Sequence, residues 1–231
     1  MISIVMPVYN TPSIWLEQSI ISCLNQTLQK FELIIVNNES TNKDTISALN
    51  RFKNIDKIRI IECPKIKGVR GVSRALNTGI SHAQYEYIAR MDSDDWMHST
   101  RIEKQYNYLK TNTDVKILGT QMKIIQTGMI TNHPLNVDLK MPLYQKNWFI
   151  NHPTVMMEKT TFISVGGYKE TPEMIPEDFD LWCRCLNKNI KIQNLPDCLL
   201  NYNQHSAGAS RVDNHTSEWK TETQKIINTI L

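Results

Sequence analysis

Tyr87-Ile88-Ala89-Arg90-Met91-Asp92-Ser93-Asp94-Asp95-Trp96 joins an apolar run that reads as a strand to three carboxylates at its end. Acids this close repel one another, so the segment asks for a cation. With one residue between them, Asp92 and Asp94 can project to the same side of an extended backbone and share one hard divalent ion. An ion held by few protein carboxylates keeps open positions for phosphate oxygens, the arrangement usual for Mg²⁺ or Mn²⁺. The alternative is a solvated acidic turn ahead of a helix.

Working outward, the first half alternates the two apolar periods. Ile2 to Val8 reads as a buried strand, and Thr11-Pro12-Ser13 starts a helix with Ile14, Ile20, Ile21 and Leu24 as its apolar face. Phe31 to Val36 is a second strand, Thr45 to Phe52 a helix, and Ile58 to Ile61 a third strand. A helix from about Gly71 to His82 then leads to the strand Tyr85 to Ala89. This order predicts an α/β fold with a mostly parallel central sheet flanked by helices. Ligands of such sheets bind beyond the carboxyl ends of the strands. Three polar segments end strands there: Pro7-Val8-Tyr9-Asn10, Asn37-Asn38-Glu39-Ser40 and Asp92-Ser93-Asp94.

The 231 residues are 41% hydrophobic and 21% charged, which fits a globular α/β domain and argues against disorder. A net charge of +3, without a long basic block, does not suggest nucleic acid as a partner, and leaves only a weak pull toward anionic lipid. No apolar stretch has transmembrane length, and Met1-Ile2-Ser3-Ile4-Val5 lacks the charged start of a signal peptide. The expected location is therefore the cytoplasm, including the inner face of the plasma membrane. Cys23, Cys63, Cys183, Cys185 and Cys198 are odd in number and lie in apolar surroundings, as free thiols do in a reducing compartment.

Taken together, Ser3-Ile4-Val5-Met6-Pro7-Val8-Tyr9-Asn10, Glu32-Leu33-Ile34-Ile35-Val36, Gly71-Val72-Ser73-Arg74-Ala75-Leu76-Asn77-Thr78-Gly79-Ile80 and Asp92-Ser93-Asp94-Asp95 resemble the inverting family 2 glycosyltransferases of the GT-A fold. The resemblance continues through His152-Pro153-Thr154-Val155-Met156-Met157, Gly166-Gly167-Tyr168 and Glu177-Asp178-Phe179-Asp180-Leu181-Trp182, ending near Tyr202 to Ser210. It implies a catalytic domain over 1–210, with a nucleotide-binding half (1–97) and an acceptor half (98–210), followed by a C-terminal helical extension (211–231).

The resemblance also implies site roles. Asp94 would ligate Mn²⁺ or Mg²⁺ bridging a nucleotide diphosphate, and Asp92 would touch the ribose or act through water, with Ser93 in the same binding segment. Asp178 would be the base that takes the proton of the attacking hydroxyl, and Glu177 would position it or the acceptor. Both acids would equally suit the first turn of a helix. Arg74 matches a phosphate-contacting position, with Arg70 as a second candidate. His205, in a tail loop rich in small residues, can approach the metal when that loop closes.

The chain departs from the family pattern after its second strand, where Asn37-Asn38 stands in place of a pair of aspartates. Asn38 can still accept a hydrogen bond from a uracil N3–H, which keeps a UDP-sugar as the expected donor; Pro7, Tyr9 and Asn10 would line the same pocket. His152 is expected on the acceptor side of the cleft. Trp182, four residues after Asp178 on a helix, either stacks on an acceptor sugar or packs in the core. Gly166-Gly167 reads either as a left-handed helix cap or as a close backbone approach to the acceptor. Asp95 either supports the metal site or orients the turn before a helix at Thr100, where Glu103 suggests a capping box.

The function the resemblance implies is transfer of one sugar from a nucleotide-diphosphate donor to a glycan or lipid-linked acceptor, in bacterial surface polysaccharide assembly. The alternative is a non-catalytic nucleotide- or glycan-binding scaffold of the same fold. A nucleotidyltransferase would carry a glycine-rich phosphate loop after the first strand, and Pro7-Val8-Tyr9-Asn10 has no glycine.

Overall fold

The computed structural model describes residues 1–63, 66, 71–137, 149–170, 177–205, 221 and 224–225. The strand Ile2–Val8 (β1) lies between two parallel neighbours, Phe31–Asn37 (β2) and Tyr87–Arg90 (β4), with Ile58–Glu62 (β3) parallel to β2 beyond it. Parallel pairing brings the carboxyl ends to one rim: Val8 pairs with Asn37, Asn37 with Glu62, and Val5 with Arg90.

Successive residues of β1 and β2 enter different cores. Ile2, Ile4, Met6, Leu33 and Ile35 pack with Leu16, Ile20 and Cys23 of the helix Ser13–Leu24 (α1) and with Ala48 and Leu49 of Lys43–Phe52 (α2). Val5, Ile34 and Val36 pack with Ala75, Leu76 and Ile80 of Gly71–His82 (α3). Both faces are covered, which is why these strands read as unbroken apolar runs rather than alternating ones. On α1 the core stripe runs through Leu16, Ile20 and Cys23. Ile14 (72% exposed) and Ile21 (47%) lie outside it, contrary to the expected face.

The second half extends the sheet with mixed pairing. Met156–Glu158 (β7) is antiparallel to β4, Val115–Ile124 (β6) is antiparallel to β7, and Lys191–Tyr202 (β8) is parallel to β6. Trp96–Met97 (β5) closes the edge, antiparallel to β8. The order is β3-β2-β1-β4-β7-β6-β8-β5, so one mixed sheet, parallel throughout its first half, crosses the expected 97/98 boundary without a break. A 3₁₀ turn, His152–Thr154, precedes β7. Thr154 folds back on Asn151, whose carbonyl accepts from both its backbone N–H (3.0 Å) and its hydroxyl (2.8 Å).

Helix starts follow their caps. The Asn42 side chain accepts from the N–H groups of Asp44 and Thr45, which starts α2 two residues before the expected Thr45. The capping box at Thr100 does not form. Thr100 makes no side-chain cap bond to the helix Arg101–Thr111 (α4), and Glu103 accepts instead from the Thr27 hydroxyl at 2.6 Å. The helices Lys159–Ser164 (α5) and Glu177–Asn187 (α6) complete the described helical segments. Gly166 and Gly167, at φ +81° and +65°, end α5: their N–H groups reach the carbonyls of Ile163 and Phe162, the helix-cap reading of this pair.

Among the described residues no helix is long and apolar enough to cross a membrane, and all five cysteines are free thiols. Arg70, residues 206–210 of the tail loop, and the expected 211–231 extension apart from positions 221, 224 and 225 lie outside the described residues.

Candidate active site

The turn after β4 is built from both halves of the chain. Arg90 grips Asp92 with both guanidinium nitrogens, Nη1 2.8 Å from Oδ2 and Nη2 2.7 Å from Oδ1. The Ser19 hydroxyl of α1 donates to the Asp92 carbonyl at 2.8 Å. Ser93 turns inward: its hydroxyl lies 2.6 Å from that of Thr11, so its side chain serves the turn and not the cleft. Asp95 is fully buried, and its Oδ1 accepts from the Asn203 N–H at 2.9 Å, tying the turn to the end of β8. Its other oxygen has no partner among the described residues. Burial, with Asp92 and Asp94 beside it, holds this carboxyl well above the usual range.

Asp94 is the most exposed of the three carboxylates, with 27% of its side chain accessible against 23% for Asp92. Its Oδ2 lies 2.8 Å from Nε2 of His205, whose ring rests on Trp15 with centroids 4.5 Å apart. Oxygens of Asp92, Asp94 and Asp95 come within 4.8 Å of one another. Burial, together with the Asp94 charge and against the pull of Arg90, pushes the Asp92 carboxyl upward.

A second acidic centre stands at the start of α6. Asp178 accepts from the Phe179 N–H at 2.8 Å, and its Oδ2 lies 3.6 Å from Nδ1 of His152. Burial first, then the neighbouring Glu177, raises its carboxyl from 3.8 to about 7. His152 is buried, with Nε2 2.7 Å from the Tyr168 hydroxyl, and burial together with the Arg90 charge holds its imidazole well below 6.5. His152 therefore stands buried between Tyr168 and Asp178. Glu177, Asp178 and His152 bring ligand atoms within 4.8 Å. Trp182 does not face the cleft. It is 0% exposed and packs its ring at 81° to His152, centroids 5.8 Å apart, so of its two expected places it takes the core and does not stack on an acceptor sugar.

The nucleotide end of the rim uses its two asparagines differently. Asn37 is consumed by structure: Nδ2 donates to both Glu62 oxygens (3.1 and 2.9 Å) and Oδ1 accepts from the Ser40 N–H. Asn38 stays at the rim, half-buried, with its backbone N–H on the Val8 carbonyl and its amide against Gly71. Pro7 is half-buried and Tyr9 is 60% exposed. Asn10, at φ +51°, builds the loop, its Oδ1 accepting from the N–H groups of Thr41 and Asn42 at 2.8 Å each. Arg74 is buried with Nε 3.3 Å from the Cys63 sulfur and Nη2 without a partner among the described residues, a donor left open for an anion.

Sequence reasoning missed Arg90, Tyr168, Thr11 and Asn203. Arg90 carried a usable signal, since it sits two residues before Asp92 and side chains two apart in extended backbone share a face.

The profile of the family described as Glycosyl transferase family 2 matches residues 3–166 of this chain. The O-antigen biosynthesis glycosyltransferase WbnJ of Escherichia coli is 35% identical over 224 residues, covering 91% of this chain and 82% of that protein. The amylovoran biosynthesis glycosyltransferase AmsE of Erwinia amylovora is 30% identical over 189 residues, covering 80% and 69%. Among solved structures, S. aureus TarS 1–349 in complex with UDP-GlcNAc superposes with a TM-score of 0.78 at 16% identity. The match covers 99% of this chain but 65% of that one, and it bears on the fold, which is GT-A.

Proposed function

The chain belongs to glycosyltransferase family 2, and from that premise we propose that it moves one sugar, with inversion, from a UDP-sugar to a hydroxyl of a glycan or lipid-linked acceptor in bacterial surface polysaccharide assembly. The names of WbnJ and AmsE support the surface-polysaccharide setting, and a lipid-linked acceptor would bring the protein to the inner face of the plasma membrane.

One observation carries the reading. Two separate acidic clusters, Asp92, Asp94 and Asp95 after β4 and Glu177 and Asp178 with His152 at the start of α6, share Arg90 as a charged neighbour through Asp92 and Asp178. Inversion needs this division, because the attacking hydroxyl must lose its proton on the face opposite the leaving group. Asp178 takes that proton: a carboxylate with its pKa near 7 is both a competent base and largely ionised just above neutrality.

Asp94 and His205 fit a divalent cation, Mn²⁺ or Mg²⁺, because an oxygen and an imidazole nitrogen already lie 2.8 Å apart on a half-exposed rim. When bound, such an ion neutralises charge on the departing diphosphate. Asp92, held in the Arg90 fork, stays outside that pair and orients the turn. Asn38 reads the base through its amide, Tyr9 covers it, Pro7 and the Asn10 loop border it, and Arg74 offers Nη2 to a phosphate. Glu177 orients the acceptor beside Asp178.

The test is a panel of nucleotide-sugars measured for Mn²⁺-dependent binding and turnover, with Asp94→Ala and Asp178→Ala beside wild type. Donor binding kept by Asp178→Ala while turnover disappears supports the assignment. A protein that binds no donor with any metal is not a transferase of this kind.

A further inference from the structure

The geometry points to a positioning chain, Tyr168 to His152 to Asp178, in which the tyrosine hydroxyl selects the imidazole tautomer that holds the base. This rests on the reading of Asp178 as base and adds two residues with an assigned order of hydrogen bonds.

The argument starts from His152. It is buried, and burial together with the Arg90 charge keeps the ring neutral, so one nitrogen carries hydrogen and the other accepts. Tyr168 is buried too, and its hydroxyl stays protonated because burial raises it far above its usual value. Among the described residues Nε2 of His152, at 2.7 Å, is the acceptor that hydroxyl reaches. Tyr168 therefore donates to Nε2, and the imidazole hydrogen sits on Nδ1.

Nδ1 points at Oδ2 of Asp178, 3.6 Å away. That is longer than a made hydrogen bond, as ligand-free catalytic sites often are before they close. The opposite tautomer would set a nitrogen lone pair against a carboxylate oxygen at that distance. Trp182 packs against the ring at 81°, centroids 5.8 Å apart, which restrains its plane. The His152 ring therefore has one free choice, the tautomer, and Tyr168 makes it. The other charged groups around Asp178 are Glu177 on its own helix, Arg90 from β4 and Asp92 beyond it.

The test is the pH profile of kcat/KM for wild type, Tyr168→Phe, His152→Asn and the double variant. An asparagine amide in the place of Nδ1 donates to Asp178 without a tautomer to choose. Tyr168→Phe is expected to move the acid limb up by about one pH unit and to lower kcat roughly tenfold, with donor KM within about twofold of wild type. His152→Asn is expected to keep the limb, and the double variant to match His152→Asn. A limb unmoved in Tyr168→Phe, or moved equally in the His152→Asn background, overturns the chain.

Should Tyr168→Phe fail to fold, long-range ¹H–¹⁵N correlation on wild type decides the matter: hydrogen on Nδ1 supports the chain and hydrogen on Nε2 overturns it. Asp178→Asn separates the two levels. If it turns over like wild type, the base reading itself falls; if it is inactive while Tyr168→Phe leaves the limb in place, only the chain falls.

Discussion

Asp94 and His205, 111 residues apart in sequence, meet at 2.8 Å. The contact joins the β4 turn to the segment after β8, and it has a consequence for donor binding. A cation bound there must replace the direct bond with bonds from both residues. Asp94→Asn is expected to lower kcat/KM by roughly a hundredfold or more, His205→Ala by about tenfold. Titration of UDP with and without Mn²⁺ should show the metal-dependent gain in affinity lost in the first, reduced in the second and abolished by a chelator.

With Asp178 as the proposed base, its carboxyl, raised to about 7, is expected to set the pH dependence. A base works unprotonated, so kcat/KM should rise as pH increases through about 7 and level off above it. Asp178→Asn should be at least a hundredfold slower, with that limb gone.

The same shift appears in stability with the opposite benefit. A carboxyl raised on folding favours the folded state below its unfolded pKa, near 4, and that contribution disappears as pH rises through 7. Asp178→Asn should therefore gain stability over wild type between pH 4 and pH 8, by on the order of 2 kcal/mol. Urea unfolding at the two pH values measures it.

Arg90 and Asp92 form a bidentate pair whose side chains are 10% and 23% exposed. Arg90→Met leaves the half-buried Asp92 carboxylate without its partner and should destabilise the fold by about 1–3 kcal/mol in denaturant unfolding. Arg90→Met combined with Asp92→Asn should recover part of that loss.

Two glycines of α3 separate binding from folding. A Cβ on Gly71 would come within 2.2 Å of the Asn38 amide nitrogen, the end of a side chain that can move. Gly71→Ala should fold and raise the donor KM. A Cβ on Gly79 would meet Val5 Cγ1 at 2.4 Å and Val36 Cγ2 at 2.9 Å inside the core. Gly79→Ala should cost about 1–3 kcal/mol of stability, read from a denaturant midpoint.

The strands β1, β2 and β3 and the helix α3 were legible nearly to the residue, because long apolar runs and a 3.6-residue period report burial directly. The three rim segments were legible for the same reason, as the polar residues that end those runs. The short strands were not: β5 is two residues long and depends on pairing with Asn201 and Leu200 in β8. Nor was the true face of α1, since Ile14 and Ile21 are as apolar as the buried Ile20 and only the packed sheet separates them.

The sequence by itself determined that strand ends would carry Asn38, Asp92 and Asp94, and that an acidic pair would open a later helix, because these are properties of neighbouring residues. Tertiary structure decided what each polar group does. It gave Asn37 to Glu62, Asp92 to Arg90, Asp95 to Asn203 and Asp94 to His205, sent Trp182 into the core, and set His152 between Tyr168 and Asp178. The reason is physical. Periodicity records which side of an element is apolar, whereas a charge or hydrogen-bond partner depends on which strands and turns lie side by side. In this sheet, where β7, β6 and β8 follow β4 out of sequence order, most of those neighbours come from far along the chain.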